Sequence, residues 1–113
     1  GRKVLDELEI LRATGEHSVA IKLLKDALRS NPNDPALKAE MAMSMVLTDP
    51  RANAREAQRL AREARDADAD LATPYVVLGI LLEALGDADR AQKMFRAALA
   101  RDPECAEAHR RVV

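Results

Sequence analysis

The sequence repeats itself at a fixed spacing, and this limits the folds open to it more than any other feature. After Gly15, residues of matching class follow at offsets of 5, 9, 12 and 17, and the same offsets recur after Gly86. The first set is Ala20, Leu24, Ala27 and Pro32, and the second is Ala91, Phe95, Ala98 and Pro103. Internal repeats with a period of roughly 20–50 residues are typical of stacked supersecondary units.

A middle unit carries the same internal spacings of 4, 3 and 5, in Ala57, Ala61, Ala64 and Ala69. Ala57 lies 37 residues after Ala20 and 34 residues before Ala91, so the period is 34 with three extra residues in this unit. We assign them to Thr48–Asn53, which is rich in turn-forming residues. The predicted repeats are 1–34, 35–71 and 72–105, followed by residues 106–113 as a capping helix or the start of a fourth repeat.

Each unit has the apolar spacing of two amphipathic helices. Ala20, Leu24, Ala27 and Leu28 recur at i, i+4, i+7 and i+8, which places them on one helical face. Aromatic residues make up 2% of the chain, and the β-branched and aromatic runs that mark strands are absent from the sequence. We therefore predict an all-α fold of about seven helices, near residues 2–13, 17–30, 35–48, 53–67, 72–85 and 88–101, with the seventh starting near Glu104.

The third unit resembles the tetratricopeptide repeat, a 34-residue helix–turn–helix motif. Its matching residues are Tyr75, Leu78, Gly79, Leu82, Ala91, Phe95, Ala98 and Pro103. The first unit departs at the front, where Glu7-Leu8 replaces the Leu-Gly pair, and the middle unit has Met41-Ala42 there. The resemblance covers nearly the whole chain and implies a right-handed α-solenoid of antiparallel helix pairs.

Residues for catalysis or metal binding are sparse. His17 falls in a polar turn, where solvation explains it, and His109 has only Cys105 at i−4 as a second metal ligand. A structural zinc site needs four ligands. The sequence holds no glycine-rich phosphate loop and no nucleophile turn. We therefore predict no enzymatic activity, no metal and no cofactor.

The charge balance restricts the class of partner. The chain has 18 basic and 19 acidic residues and a net charge of −1, which disfavours nucleic acids and polybasic membrane contacts. The uncharged stretch Met41–Thr48 is too short to span a bilayer. One cationic stripe has the charge to bind a phosphate or an acidic partner, but the acidic residues interleaved with it favour a solvated face. The stripe comprises Arg51, Arg55, Arg59 and Arg62. We expect a cytoplasmic protein, and the Ala- and Arg-rich composition suggests a bacterial one.

The resemblance also implies where a partner binds. In the family, the first helix of each unit lines a concave groove, and here the middle of that groove is apolar. The predicted partner-binding residues are Leu5, Ala39, Met43, Val46, Val76, Ile80 and Glu83. A contiguous exposed apolar strip indicates a binding surface. We therefore predict a scaffold that holds a helix or an extended peptide as a module of a larger protein. The alternative is self-association, for example as a homodimer, through the groove or the open solenoid ends.

Some members of the family hold a chaperone's C-terminal carboxylate in a clamp of Lys, Asn and Arg side chains. The equivalent positions here are Leu5, Glu9, Glu40, Thr73 and Val77. None of them matches, and the two glutamates would repel an anion. We therefore predict that the chain has no carboxylate clamp.

Overall fold

The computed structural model describes residues 2–113, and every regular element in that range is helical. The seven helices are α1 (Arg2–Ala13), α2 (His17–Ser30), α3 (Pro35–Thr48), α4 (Ala54–Ala67), α5 (Thr73–Ala84), α6 (Ala88–Arg101) and α7 (Ala106–Arg111). The first six lie within one residue of their predicted bounds, and α7 begins two residues later than Glu104. The predicted all-α solenoid is confirmed.

The helices stack in chain order, with α3 and α5 at the centre. The helix pairs α3–α4 and α5–α6 pack most extensively, and α3 also packs against α2 and α5. α5 in turn packs against α4. We call α1, α3, α5 and α7 the odd layer, and α2, α4 and α6 the even layer. In the odd layer, α3 and α5 pack directly against each other, whereas α1 and α3, and α5 and α7, are linked by paired side chains. In the even layer, α4 and α6 lie on either side of α5.

Two glycines end the first helices of the outer units in the same way. Gly15 and Gly86 have φ values of 74° and 83°, in the left-handed region that a side chain disfavours. Each allows two backbone hydrogen bonds that close the helix, such as Gly86 N to Glu83 O at 2.9 Å and Asp87 N to Leu82 O at 2.9 Å. This is the Schellman arrangement. The repeated glycine therefore reflects a backbone requirement of the turn.

The middle unit replaces this glycine turn with a longer loop. Residues 49–53 separate α3 from α4, whereas residues 14–16 and 85–87 suffice in the other units. The Asp49 carboxylate accepts hydrogen bonds from the backbone N–H groups of Arg51 at 3.1 Å and Ala52 at 3.0 Å. The Asn53 side-chain amide donates to the carbonyl oxygen of Met45 at 2.9 Å. This loop is two residues longer than its counterparts and is ordered by its own side chains, and α3 is also two residues longer than α1 and α5.

The third unit packs around a contact between a glycine and an aromatic ring. Phe95 is fully buried, and its ring lies directly against the backbone of Gly79. A Cβ atom added to Gly79 would lie 2.5 Å from Phe95 Cε1 and 2.8 Å from Cδ1. The absence of a side chain therefore lets α5 and α6 approach closely enough for the ring to fill the space between them.

We expect Gly79→Ala to lower the free energy of unfolding, measured by urea denaturation with circular dichroism. Overpacking costs about 1–3 kcal/mol, which outweighs the gain of up to about 1 kcal/mol for alanine in a helix. The control is the same change in a Phe95→Leu background, where the ring atoms are gone and alanine should be neutral or stabilising. An equal effect of Gly79→Ala in both backgrounds would show that the ring contact does not explain this glycine.

Candidate partner-binding surface

The odd layer presents one side on which residues from four helices meet. Arg12 of α1 pairs with Glu40 of α3, and Glu83 of α5 pairs with Arg111 of α7 at 2.8 Å. Between them, Thr73 of α5 donates a hydrogen bond to Glu40 Oε2 at 2.8 Å. We call this side the odd-layer face. Its central groups are charged and polar and link neighbouring helices.

Five of the seven predicted partner-binding residues lie inside the core. Their exposed fractions are 0–4%, and they are Ala39, Met43, Val46, Val76 and Ile80. The prediction of an uncovered apolar strip is therefore wrong. The physical reason is that α3 and α5 each pack against helices on several sides. A helix that is apolar around most of its circumference is a buried helix.

The other two predicted residues are accessible. Leu5 on α1 is 37% exposed, and Glu83 near the end of α5 is exposed and paired with Arg111. They lie at opposite ends of the odd-layer face. The structure therefore does not bring the seven predicted residues together as one open site. It leaves accessible residues near both ends and a polar bridge in the middle.

This polar bridge joins three units through Glu40. Arg12 Nη1 forms an ion pair with Glu40 Oε1, and Arg12 Nη2 donates to the Glu40 carbonyl oxygen at 2.9 Å. The same nitrogen donates to Ser44 Oγ at 3.2 Å, and Ser44 is fully buried. Since Thr73 binds the second carboxylate oxygen, Glu40 has partners from α1 and α5 at once. Hydrogen bonds that involve charged groups are stronger than neutral ones.

The pairing of Arg12 with Glu40 recurs with reversed signs in Glu83 and Arg111. Arg12 and Glu83 occupy the twelfth position of their units, and each partner lies 28 residues further on. In the middle unit the twelfth position is Val46, which is buried. Opposite charges at equivalent repeat positions were visible in the sequence and could have identified both pairs.

The last helix, α7, is held by charged and polar contacts with α5 and α6. Gln92 donates from Nε2 to the carbonyl oxygen of Arg111 at 2.9 Å, and its Oε1 accepts from the N–H of Val113 at 2.9 Å. Partial burial tends to raise the pKa of Glu107, but hydrogen bonds from Arg110 and Arg111 outweigh burial and lower that pKa. Glu107 is therefore held in its charged form.

The histidines and the cysteine have structural contacts. His17 is the first residue of α2, where the predicted helix bounds place it. Its side chain is partly buried and its Nδ1 is buried without a hydrogen-bond partner, so the prediction that it is solvated is wrong. His109 Nε2 lies 2.5 Å from the carbonyl oxygen of Pro103. Burial raises the pKa of the Cys105 thiol. Within the described residues, no three His, Cys, Asp or Glu side chains are placed to hold a metal ion.

The cationic stripe of α4 is only partly neutralised. Arg59 pairs with Glu56 and, at 2.7 Å, with Glu63, which are two of the acids interleaved with the stripe. Lys38 of α3 also pairs with Glu63 at 3.0 Å, and the hydrogen bonds from Lys38 and Arg59 lower the pKa of that carboxyl. Among residues 3–113, Arg62 forms no ion pair. None of the helices that the structure describes is both long and apolar enough to cross a membrane.

The last part of the chain matches a known family model. Residues 72–113 match the model of the tetratricopeptide repeat family. This range is the third unit and the last helix. No curated protein sequence matches the chain significantly.

Solved structures of low sequence identity share the fold of the whole chain. A structure of Naa15/Naa10 bound to HypK-THB has a TM-score of 0.76 at 22% identity; the match covers 96% of this chain but only 16% of that one. The Sgt2 tetratricopeptide domain of Aspergillus fumigatus has a TM-score of 0.70 at 19% identity, over 98% of this chain and 73% of that one. The first such domain of Spaghetti (RPAP3), bound to the HSP90 peptide SRMEEVD, has a TM-score of 0.67 at 19% identity, over 95% and 82%.

The Arg12–Glu40 pair predicts the effect of exchanging its charges. Arg12→Glu and Glu40→Arg should each lower the free energy of unfolding by about 1–3 kcal/mol, because each leaves a partly buried polar group without its partner. The double exchange should recover part of the loss, since Glu83 and Arg111 already form the reversed pair at equivalent positions. It does not restore the hydrogen bond that Arg12 donates to the carbonyl oxygen of Glu40. Urea denaturation of the four proteins measures the coupling. Losses that simply add would show that the two side chains do not depend on each other.

Proposed function

Because the chain has the fold of tetratricopeptide repeat domains, and residues 72–113 match that family in sequence, we propose that it is a non-catalytic protein-interaction module. It holds a helical or extended segment of a partner protein against the odd-layer face. The observation that carries this proposal is the continuity of that face across α1, α3, α5 and α7, with polar and charged groups linking the helices.

The accessible residues of the odd-layer face offer contacts of mixed character. Leu5 and Glu9 on α1 are exposed, Leu47 and Thr73 are half-buried, and Glu83 is exposed. A peptide segment carries both apolar side chains and backbone polar groups, so a face of this kind matches its chemistry. The Spaghetti (RPAP3) domain with the same fold was solved with a peptide bound, which supports peptide binding as the mode.

The buried residues of α3 and α5 support the face from beneath. Met43, Val46, Val76 and Ile80 lie in one core cluster, so they fix the distance between the two helices. A binding surface held by a packed core loses little conformational entropy when a partner binds. We therefore propose that the predicted partner-binding residues at these positions act by positioning the accessible ones.

The chemistry of the odd-layer face disfavours a partner that binds through a terminal carboxylate. The clamp positions hold Glu9 and Glu40 as carboxylates, and Val77 is fully buried. Glu40 is already engaged by Arg12 and Thr73. Like charges at close range repel. We propose that the partner contacts this face with internal residues of its chain.

A peptide selected from a random library on the immobilised chain tests this proposal. In backbone amide NMR spectra, its binding should shift the signals of Leu5, Thr73 and Glu83. Leu5→Glu should weaken binding by at least about tenfold, which corresponds to 1.4 kcal/mol, because a charge replaces an apolar contact. Met43 and Ile80 are unsuitable for such a test, since a charge at a position only 4% exposed would disrupt the core.

The control for this test is Val19→Glu, which changes another exposed apolar residue, on α2 in the even layer. A peptide ending in the sequence EEVD should show no saturable binding. Selected peptides whose binding shifts only signals of α2, α4 and α6 would contradict the odd-layer face as the binding surface.

Self-association is a second candidate, and the exposed side of α1 favours it. Ile10 is 65% exposed and Leu5 is 37% exposed on this helix, which packs mainly against α2. Interfaces between identical subunits are more apolar than the rest of the protein surface. A second copy covering α1 would remove them from water.

Sedimentation velocity over a range of concentrations tests self-association. The chain should sediment faster as its concentration rises, and Ile10→Glu should abolish this increase because it places a charge in the interface. Val19→Glu is the matched control, since Val19 is also an exposed apolar residue but lies on α2. A monomer at every concentration would rule out self-association through α1.

A further inference from the structure

A trough on the even layer combines an apolar floor with cationic walls. Its floor is formed by four leucines at the helical spacing i, i+3, i+4 and i+7, the last of which directly follows the end of α5. They are Leu78, Leu81, Leu82 and Leu85. One wall is α4 and the other is α6, which contributes Met94 among others. The cavity has a volume of about 280 Å³. It continues into a second cavity of about 410 Å³ toward Pro50, because both share Leu81 and Leu85.

The floor is accessible as well as apolar. Leu85 is 81% exposed, and Leu82 and Met94 are half-buried. By contrast, Leu78 and Leu81 are 8% and 9% exposed and anchor the floor in the core. Binding of a partner that covers such a patch is favoured by about 25 cal/mol for each Å² of apolar surface removed from water.

The walls of the trough carry positive charge. Arg62 and Arg65 of α4 lie on one side, and Arg90 and Lys93 of α6 lie on the other. None of the residues that line either cavity is Asp or Glu. This is a local feature, because the whole chain has a net charge of −1.

These cations are weakly paired within the chain. Among the side chains described, residues 3–113, neither Arg62 nor Lys93 has a carboxylate within 4.0 Å, the limit for an ion pair. Arg65 reaches Asp66 only at 3.9 Å, and Arg90 reaches Asp87 at 3.5 Å with its own side chain 75% exposed. Contacts this long and exposed contribute little. The positive charge therefore remains available to a partner.

The preceding unit does not repeat this arrangement. The residue equivalent to Arg90 is Glu56, which pairs with Arg59, and the residue equivalent to Leu81 is the buried Ser44. At the equivalent place between α2 and α4, an acidic residue therefore stands in the position of the cation Arg90, and a serine stands in the position of Leu81. The combination of leucines and unpaired cations is thus specific to the space between α4 and α6.

We propose that the α4–α6 trough docks an acidic amphipathic helix of a partner protein. Leucine-like side chains of that helix lie on the α5 floor, and its Asp and Glu side chains pair with Arg62 and Arg65 on one wall and with Arg90 and Lys93 on the other. This surface is distinct from the odd-layer face and does not depend on the function proposed for it.

The geometry of the trough selects a helix. The residues of α4 that line the trough and the second cavity together run from Ala54 to Arg65, which spans about 16 Å at 1.5 Å per residue, or about three turns. The walls are helices whose backbone groups are already bonded internally, so an extended peptide would find no backbone partners there. A helix satisfies its own backbone and presents only side chains, as in helix-in-groove recognition.

The test uses a synthetic peptide of about three helical turns, with leucine along one face and glutamate on both flanks, labelled for fluorescence anisotropy. It should bind the chain saturably, and its twin with lysine in place of glutamate should not. The variant Arg62→Glu/Lys93→Glu should weaken binding of the acidic peptide by at least about tenfold. The same variant should no longer discriminate between the acidic peptide and the lysine twin, because Arg65 and Arg90 remain and the four wall charges then sum to zero.

The matched control is Arg55→Glu/Arg96→Glu, which makes the same change in net charge at exposed cations of α4 and α6 that do not line the trough. This control should bind the acidic peptide about as tightly as the unchanged chain does. Equal weakening by both double variants would overturn the proposal, since long-range charge would then explain the binding. Binding of both peptides by the unchanged chain would overturn it as well.

A second copy is the other possible occupant, because α1 carries Asp6, Glu7 and Glu9 beside the exposed Ile10. If sedimentation velocity shows self-association that Arg62→Glu/Lys93→Glu abolishes, the occupant is a second copy and the proposal of a different partner protein is wrong. If that variant sediments like the unchanged chain and loses the acidic peptide, the proposal is supported.

Discussion

The packing of α3 against α5 is the constraint on which the rest of the structure depends. These two helices have apolar residues around most of their circumference, and each also packs against helices of the even layer. Their burial removes Met43, Val46, Val76 and Ile80 from any direct role at the surface. The chain must therefore recognise a partner with the residues that surround this centre.

Away from the centre, contacts between neighbouring units change from apolar to charged. The twelfth position of the middle unit is the buried Val46, whereas the twelfth positions of the outer units are Arg12, which pairs with Glu40, and Glu83, which pairs with Arg111. α1 and α7 each lie toward one end and have fewer neighbours than α3 and α5. A long charged side chain can pack its apolar stem against a neighbouring helix while its charged head stays in contact with water. The same pairs place polar groups on the odd-layer face.

The local structure could be read from the sequence because its determinants are local. Gly15 and Gly86 end helices through their own backbone conformation, and Asp34 and Asp87 cap the helices that follow through hydrogen bonds of 3.2 Å. Accessibility could not be read in the same way. The burial of Ile80 depends on helices far away in the chain, although the unbroken apolar run Val76–Leu82 was a signal that its helix is enclosed. The trough needed three helices in place before Arg62 and Lys93 could be seen to face one floor.

The difference in spacing between the two layers explains why two separate surfaces arise from one repeat. In the odd layer, α3 and α5 contact each other directly, so their apolar residues are buried between them. The polar side chains that link the two helices, such as Thr73 and Glu40, remain partly accessible. In the even layer, α4 and α6 are separated by α5, so the outward side of α5 stays accessible between them and exposes leucines. Because Gly79 lets Phe95 bring α6 close to α5, the depth of the trough follows from the same contact that packs the third unit. A substitution that pushes α6 away from α5 would therefore alter both the stability of the unit and the shape of the trough.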